Sequence, residues 1–442
     1  MRIFNPGHLL WSSSLLIIAA AFPDLGDFHS GRSSHGSLHK RCPFGHDQPK
    51  VETKHDKRFL FDAMNSPVDV TGEHKFQPPN FKNGDQRGPC PGLNALANHG
   101  YIPRNGVFAH VIEAINKVYG MGVDLATVLA IMGTVWTGDP LSLDPSFSIG
   151  GPDPGVNNLL DNLGGLLGNS QGLIGSHNFI EADSSNTRDD LYVTGNSHTL
   201  NMDKFMAWYN MSTDGTFDMD LMAKRAKLRF DETIQTNPNF YYGPVTGLLA
   251  RNAGFIFPGR LFRNHSHENP EGVLTKSHIR NFFGIYGEEY NLTYREGWER
   301  IPENWYKTPV DYSLVQLNLD TIDWMLKYPE LGSVGGNTGT VNSFAGVDPG
   351  NLTGGVFNLA NLLEGNNLLC FVFEVLKFAG PNALDGLYST LAEPIEWVTK
   401  ILAVPLLNVT CPAFQDLQMG GKPFWEAMKN EYPGAAKSGR AL

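Results

Sequence analysis

Apolar residues recur at helical spacing along much of the chain, whereas strand-like alternation is rare and short. In residues 107–119 the apolar side chains follow a three-to-four-residue period, which predicts an amphipathic helix. Residues 125–136 are apolar on nearly all sides, so we expect a buried helix with Asp124 as its cap. Three further segments predict helices: residues 202–209, 219–233 and 367–378. The pattern therefore indicates a mainly α fold.

Composition limits the class of protein further. The 442 residues include 48 Gly and 28 Pro, which predicts long loops between the helices. Hydrophobic residues at 41% and aromatic residues at 11% exclude a wholly disordered chain. The net charge of −11, without a basic run, gives no surface for neutralising phosphates and excludes a nucleic-acid binder. The length allows either one large domain or two ordinary ones.

The N-terminus carries the pattern of a secretory signal. Residues 9–22 are mostly apolar and end in small residues at 19–21, which predicts a signal peptide over residues 1–21 and a secreted protein. A membrane anchor is the competing interpretation, but it needs about 20 apolar residues, and this stretch is shorter and contains serines, so we expect no stable membrane span. Residues 22–58 then read as a polar linker or pro-segment with two dibasic pairs, Lys40-Arg41 and Lys57-Arg58.

Sequons and cysteines agree with an oxidising compartment. The N-x-S/T sequons lie at Asn210, Asn264, Asn291, Asn351 and Asn408. The cysteines are Cys42, Cys90, Cys370 and Cys411. Four cysteines allow three full pairings, and two disulfides are the simplest interpretation. The sequence around Cys90 sets this residue apart from the others.

The segment around Cys90 is suited to holding a thiolate. Pro91 can be the first residue of a helix, Gly100 can end that helix, and Pro103 prevents its continuation. Cys90 then lies at the helix N-terminus, where free N–H groups and the helix dipole lower the pKa of a thiol. Flanking prolines also surround half-cystines in secreted proteins. The residues alone favour neither interpretation.

Residues 87–106, Arg-Gly-Pro-Cys-Pro-Gly-Leu-Asn-Ala-Leu-Ala-Asn-His-Gly-Tyr-Ile-Pro-Arg-Asn-Gly, resemble the Pro-Cys-Pro signature of the fungal haem-thiolate peroxidases, the family of chloroperoxidase and the unspecific peroxygenases. The resemblance implies a single mainly helical, chloroperoxidase-like domain over residues 59–412, followed by a tail over residues 413–442. It also implies haem b (iron protoporphyrin IX) with Cys90 as the axial ligand of the iron. A thiolate ligand donates electron density that favours cleavage of the O–O bond.

A second motif supports the same family. Residues 176–188, Ser-His-Asn-Phe-Ile-Glu-Ala-Asp-Ser-Ser-Asn-Thr-Arg, are similar to the family's Glu-Gly-Asp-x-Ser-x-x-Arg segment. The resemblance implies that Glu181, the carbonyl of Ala182 and Ser185 bind Mg²⁺ or Mn²⁺ near a haem propionate, and oxygen ligands suit both ions. Without the resemblance, residues 183–185 would read as an exposed turn or a helix cap. We expect His177 and His198 to be surface or capping residues and His99 to be packed and hydrogen-bonded.

The chain departs from the family on the distal side of the haem. Where the family has an acid–base Glu, the best alignment places Asn252, preceded by Arg251, and an amide cannot carry a proton at neutral pH. These two residues are therefore the distal candidates, with Arg251 able to steady negative charge on a departing oxygen. Residues 150–175 form an insertion that we expect to be a surface excursion. Cys370 and Cys411 correspond to a pair that forms a disulfide in longer peroxygenases.

The resemblance predicts a secreted peroxidase or peroxygenase that uses hydrogen peroxide to oxidise or oxygenate a small organic, aromatic substrate. The missing Glu keeps two alternatives open. One is a dedicated oxidase of fungal secondary metabolism, and the other is a haem-binding protein on the same scaffold with weakened activity. The sequence leaves the oligomeric state open.

Overall fold

The computed structural model describes residues 66–108, 111–138, 146–156, 170–348, 353, 358–364, 367–368, 370–371, 418–419 and 422–439. The predicted signal peptide over residues 1–21, the linker over residues 22–58, Cys42 and Cys411 lie outside these ranges. No helix in the described ranges is long and apolar enough to cross a membrane.

Helices dominate the described residues. They are α1 (Pro91–Asn98), α2 (Ile112–Tyr119), α3 (Val123–Thr137), α4 (Leu191–Thr194), α5 (Met202–Tyr209), α6 (Met219–Thr236), α7 (Asn252–Leu261), α8 (Lys276–Phe282), α9 (Leu314–Lys327), α10 (Leu359–Leu362), α11 (Phe424–Glu431) and α12 (Pro433–Ala436). A π-helical segment, Pro244–Arg251, runs directly into α7, and short 3₁₀ turns cover Gly72–His74, Phe81–Asn83 and Pro329–Gly332. The mainly α prediction is confirmed.

The strands in the described ranges are two or three residues long. They are β1 (Val107–Phe108), β2 (Phe147–Ser148), β3 (Tyr241–Tyr242), β4 (Ile285–Tyr286), β5 (Thr293–Tyr294), β6 (Gly335–Asn337), β7 (Phe344–Gly346), β8 (Gln418–Met419) and β9 (Lys422–Pro423). Four antiparallel sheets result, and the one with three strands has the order β3-β6-β7. Position 335 in this sheet requires glycine, because the Cβ atom of any other residue would lie 2.1 Å from the carbonyl oxygen of Ala345.

Several helix predictions are confirmed, and two need correction. The helix predicted over residues 107–119 begins only at Ile112, because Val107 and Phe108 pair with β2 instead. Asp124 does not cap α3, whose N-cap is Gly122. Its carboxylate accepts the backbone N–H of Leu314 at 3.0 Å, at the start of α9. Asp124 therefore joins two helix N-termini, which local sequence alone does not reveal.

The C-terminal residues belong to the folded domain. Tyr432 is fully buried and stacks near Tyr241, with ring centroids 6.1 Å apart. The N–H of Gly439 donates to the carbonyl of His177 at 2.8 Å, and the side-chain N–H of Asn178 donates to the carbonyl of Gly434 at 3.0 Å. The tail predicted over residues 413–442 therefore includes two helices, α11 and α12, that supply part of the core.

An aromatic cluster fixes the position of α1. Phe262 stacks on Phe282 with ring centroids 4.1 Å apart and planes inclined by 13°. Trp305 meets Phe282 edge-on at 5.4 Å, and Tyr119 lies 5.6 Å from Phe262. Gly92 in α1 packs against the rings of Phe262 and Tyr119. Rigid side chains from α2, from α8 and from the residue after α7 thus support the helix that follows Cys90.

Candidate active site

Cys90 is the N-cap residue of α1, as the sequence predicts. Its backbone is extended, with φ −89° and ψ 106°, and its carbonyl oxygen accepts the N–H of Asn94 at 3.1 Å. The thiol is free, and the half-buried residue lines a cavity. A single sulfur is therefore presented to this cavity from a helix N-terminus.

The electrostatics of the thiol differ from the sequence prediction. Burial raises the pKa of the Cys90 thiol. The N–H groups of Leu93 and Gly92 and the charge of Arg188 lower it, but the effect of burial is larger, so the pKa is raised. No side-chain hydrogen bond caps the helix. The predicted lowering of the pKa is therefore wrong for the protein alone. A metal ion bound to the sulfur would reverse the balance, because it deprotonates a coordinating thiol outright.

The turn before α1 is held from both sides. Asn94 returns from the helix to Gly88, accepting its N–H at 3.1 Å and donating to its carbonyl at 2.9 Å. The Arg87 guanidinium donates to the side-chain oxygen of Asn98 at 3.0 and 2.7 Å. Gly88 has no room for a side chain, because a Cβ atom would lie 1.9 Å from the carbonyl oxygen of Ile149. The direction of the Cys90 sulfur is therefore fixed before any ligand binds.

The cavity beside Cys90 measures about 280 Å³, and most of its wall is apolar. Its aromatic side chains are Tyr119, Phe147, Phe255, Phe257, Phe262 and Phe283. Leu173, from the predicted insertion over residues 150–175, also lies in the wall. The described base of that insertion is anchored, since the N–H of Ile174 donates to the carbonyl of Gly150 at 3.0 Å. The insertion therefore contributes to the cavity as well as to the surface.

Five buried polar atoms on cavity-lining side chains have no hydrogen-bond partner among the described residues. They are Glu181 Oε1, Ser185 Oγ, Asn186 Nδ2, Arg188 Nη2 and Ser197 Oγ. Buried polar groups are almost always satisfied in native proteins, so such a concentration calls for a bound ligand. Glu181, Ala182 and Ser185 all line the cavity, and the structure thus brings together the three residues predicted to bind a cation.

The loop that carries Glu181 is buried. The predictions of an exposed turn at residues 183–185 and of a surface position for His177 are therefore both wrong. His177 is inaccessible to solvent, and its Nδ1 lies 2.7 Å from Glu181 Oε2. Burial lowers the pKa of His177, but the charges of Asp183 and Glu181 outweigh it and raise the pKa to about 9. His177 therefore donates from Nδ1 to one oxygen of Glu181 and holds it in place.

The other two histidines lie close to their expected places. His99 is packed and hydrogen-bonded, with Nδ1 2.7 Å from the carbonyl of His74 and Nε2 accepting the N–H of Ile301 at 3.1 Å. His198 is half-buried, and its carbonyl accepts from Arg188 at 3.4 Å. Neither ring lines the cavity.

Arg251 is committed to the loop that carries Ser185. Its guanidinium donates to the carbonyl of Ser184 at 3.1 Å, to the Ser184 hydroxyl at 2.9 Å and to the carbonyl of Ala226 at 2.5 Å. Ser184 has a φ of 63°, a left-handed conformation that is uncommon for a residue other than glycine. Arg251 therefore stabilises this conformation, and its hydrogen bonds leave little capacity for a reacting oxygen.

Asn252 is fully buried and does not line the cavity. Its side-chain oxygen accepts from the Tyr242 hydroxyl at 3.0 Å and from Arg251 at 3.1 Å, and its side-chain N–H donates to the carbonyl of Leu331 at 3.2 Å. The geometry gives Asn252 a structural position at the start of α7. It does not support the predicted distal role for this residue.

Glu299 is a site residue that sequence reasoning missed. It is inaccessible to solvent, and its Oε1 lies 4.0 Å from Arg188 Nη2. Burial raises the pKa of Glu299 to about 7, against the opposing charge of Arg188, and the charge of Glu299 raises the pKa of Cys90. No motif marks this residue, which reaches the Cys90 region only because its loop folds beneath α1.

Comparisons with known proteins agree on one family. A family model described as "Peroxidase, family 2" matches residues 74–310. The chain is 58% identical to "Aromatic peroxidase fscJ" of Fusarium equiseti over 388 residues, covering 87% of this chain and 89% of that protein. It is 40% identical to "Dothistromin biosynthesis peroxidase dotB" of Dothistroma septosporum over 370 residues, covering 82% of this chain and 87% of that protein. It is 30% identical to "Aromatic peroxygenase" of Cyclocybe aegerita over 287 residues, covering 62% of this chain and 67% of that protein.

The buried Glu299 carboxyl should make stability depend on pH. Its pKa is 4.5 in the unfolded chain and about 7 in the folded protein, so between these values only the folded state keeps the proton. The contribution of this group to the free energy of unfolding should therefore fall by about 3 kcal/mol in total as pH rises through this window. Glu299→Gln should remove that loss, which urea unfolding at several pH values between 4.5 and 7.5 will measure.

The exposed Glu303 is the matched control, and Glu303→Gln should keep the pH profile of the wild type. Parallel profiles for wild type and Glu299→Gln would show that this carboxyl is not perturbed in the folded protein.

Proposed function

The chain belongs to family 2 of the peroxidases, and from that premise we propose that Cys90 binds the iron of its haem and that the cavity beside Cys90 is where an organic substrate is oxidised. The family's members are haem-thiolate enzymes, so the protein is an oxidoreductase that acts on peroxide with haem as its cofactor. The fold, with few and short strands, agrees with this family.

The observation that carries the proposal is a free thiol in an apolar cavity that has a polar end. Haem has an apolar ring and two charged propionates, and the cavity offers both environments. Arg188 Nη2 and Ser197 Oγ have no hydrogen-bond partner among the described residues, and they would bind a propionate. The aromatic side chains of the wall would cover the ring. The residues present therefore fit the cofactor.

We also propose the cation site near the propionate. Oε2 of Glu181 is held by His177 at 2.7 Å, while Oε1 has no partner among the described residues. Ser185 Oγ is likewise unpartnered, and the carbonyl of Ala182 completes an all-oxygen set that suits Mg²⁺ or Mn²⁺. No cluster of three or more His, Cys, Asp or Glu side chains suited to a metal exists in the described part of the chain. This site would rely on one carboxylate and on the haem.

When bound, a thiolate-ligated haem supplies the redox chemistry that cleaves the peroxide O–O bond. The chain's own residues provide the setting. Phe255 and Phe257 of α7, with Phe147 of β2, form an apolar wall that excludes water and orients a flat substrate. Arg251 holds the Ser184 turn so that the next residue, Ser185, keeps its place at the cavity. An aromatic substrate suits these walls best.

A dedicated enzyme of secondary metabolism is the second candidate. The relative named for dothistromin biosynthesis, at 40% identity over 82% of this chain, favours it. The Asn252 amide is fully engaged and offers no acid–base group to the cavity. A panel of simple phenols and aromatic ethers with hydrogen peroxide separates the candidates. A broad peroxygenase converts several of them, a dedicated enzyme converts few, and a haem carrier converts none.

Secretion remains part of the proposal. The signal-like residues 1–21 and the five sequons support it. Among the described sequons, Asn210 and Asn291 are exposed, whereas Asn264 is half-buried and its side-chain oxygen accepts the N–H of Tyr306 at 2.8 Å.

Cys90→Ala should abolish thiolate-type haem binding. The ferrous carbon-monoxide complex of the wild type should absorb far to the red of a histidine-ligated haem, and this band should be lost in the variant. Cys42→Ala is the matched control, because it removes a cysteine from the predicted linker, and it should keep the wild-type spectrum. A red-shifted band that survives in Cys90→Ala would assign the iron to another ligand.

Glu181→Gln should release the cation and weaken haem retention, because it removes the only carboxylate of the proposed set while keeping the shape of the side chain. Elemental analysis of Mg and Mn per protein, together with haem content, measures both effects. Glu232→Gln is the control, since Glu232 is paired with Lys204 and Arg229 away from the cavity. Unchanged metal content in Glu181→Gln would remove Glu181 from the site.

Mass spectrometry of the protein from culture medium should show an N-terminus beyond residue 21 and glycans at Asn210 and Asn291. A non-reducing digest should join Cys370 to Cys411 and leave Cys90 unlinked. An intact N-terminal segment in the medium would contradict the signal peptide, and a disulfide at Cys90 would contradict haem ligation.

A further inference from the structure

One residue of the cavity wall is exposed, and it is a glycine. Gly254 lies in α7 and lines the cavity. Among the described residues of the wall it alone is exposed, whereas Ala253 and Phe255 on either side of it are buried. Ala250 and Phe257, one turn before it and one turn after it, also line the cavity and are half-buried. The cavity therefore opens to solvent along this face of α7.

The local structure does not require glycine at residue 254. Its backbone is helical, and a Cβ atom there would meet no described atom within 4 Å. Gly133 and Gly259 differ, because a Cβ atom would lie 2.7 Å from the side chain of Phe147 or of Met219, respectively. The π-helical segment runs directly into α7, so residue 254 lies in a helix interior. Glycine is less favourable there than alanine, since it loses more conformational freedom on folding.

The missing side chain instead leaves space at the opening. A larger residue at position 254 would stand between Ala250 and Phe257, where the wall meets solvent. A substrate can therefore place an apolar end against the buried Phe255 while its remainder passes Gly254 into water. A polar remainder keeps its hydration in that arrangement, so only the apolar end is desolvated.

We propose that Gly254 is a specificity-determining residue that admits extended substrates, with an aromatic end inside the cavity and a polar remainder in solvent. The inference rests on the proposed function and adds to it the shape and polarity of the substrate. A helix residue that lowers stability and is not required by its neighbours is a local departure of the kind found at functional sites.

Gly254→Ala, Gly254→Leu and Gly254→Phe in the haem-bound protein test the proposal with two probes. Anisole is the compact probe, and anisole with a triethylene glycol chain in the para position is the extended probe. Calorimetric titration measures the dissociation constant of each. For the extended probe it should rise about tenfold in Gly254→Phe and by less in Gly254→Leu, because the new side chain fills the opening. For anisole it should stay within about twofold of the wild-type value.

Gly254→Ala separates space from flexibility. A methyl group leaves the opening nearly clear but removes the conformational freedom of glycine. Both dissociation constants should therefore stay near their wild-type values, while the equilibrium constant for folding, measured by urea unfolding, rises about fivefold. Gly151→Leu is the matched control, since a Cβ atom at Gly151 also meets no described atom within 4 Å and Gly151 does not line the cavity. It should bind both probes as the wild type does.

The carbon-monoxide band of each variant reports whether its haem site is intact, and Gly254→Leu replaces Gly254→Phe in the comparison if the latter loses the band. Equal losses of affinity for both probes, unchanged affinity for the extended probe, or weaker binding of either probe by Gly254→Ala would overturn this inference alone. A wild type that binds anisole but not the extended probe would do the same. A wild type without the thiolate-type band would overturn the proposed function, and the inference with it.

Discussion

Burial of the Cys90 sulfur at the N-terminus of α1 is the constraint on which the rest of the site depends. An apolar cavity disfavours a thiolate, and the helix amides and Arg188 only partly oppose that effect, so the pKa of the thiol stays raised. The protein alone therefore keeps a thiol that becomes a strong ligand when a metal ion replaces its proton. Asn94 and Gly88 fix its direction, which limits the reorganisation that metal binding would require.

The loop over residues 176–190 shows how such a site can be charged and still folded. His177 donates to one oxygen of Glu181, and Arg229 lies 3.3 Å from Asp190. Arg251 holds Ser184 in a left-handed conformation. Glu181 and Asp190 thus have partners, one from within the loop and one from α6, which is the condition for tolerating a buried charge in the interior. The cavity-lining polar atoms without hydrogen-bond partners lie where we propose that the haem and its cation bind.

The same loop depends on residues far along the chain. The carbonyl of Gly434 accepts from the side chain of Asn178, and the N–H of Gly439 donates to the carbonyl of His177. The last described helices therefore pack against the loop that presents Glu181. Stability of the C-terminal region and occupancy of the candidate cation site are thereby connected, because both use the conformation of residues 177–181. The Cys90 turn and the Glu181 loop are held by different parts of the fold and meet only at the cavity.

The sequence by itself determined the elements whose cause is local. Proline after Cys90 and glycine at residue 100 define α1, and helical periodicity defines α5 and most of α6. The two motifs identify the family and give Cys90, Glu181 and Ser185 as the proposed site residues. The tertiary structure decided what depends on burial and on distant partners. Three features depend on the surrounding side chains. They are the acidity of the Cys90 thiol, the position of Asn252 relative to the cavity, and the location of Glu299 near Cys90. Burial and charge act through space, so spacing along the chain carries no record of them.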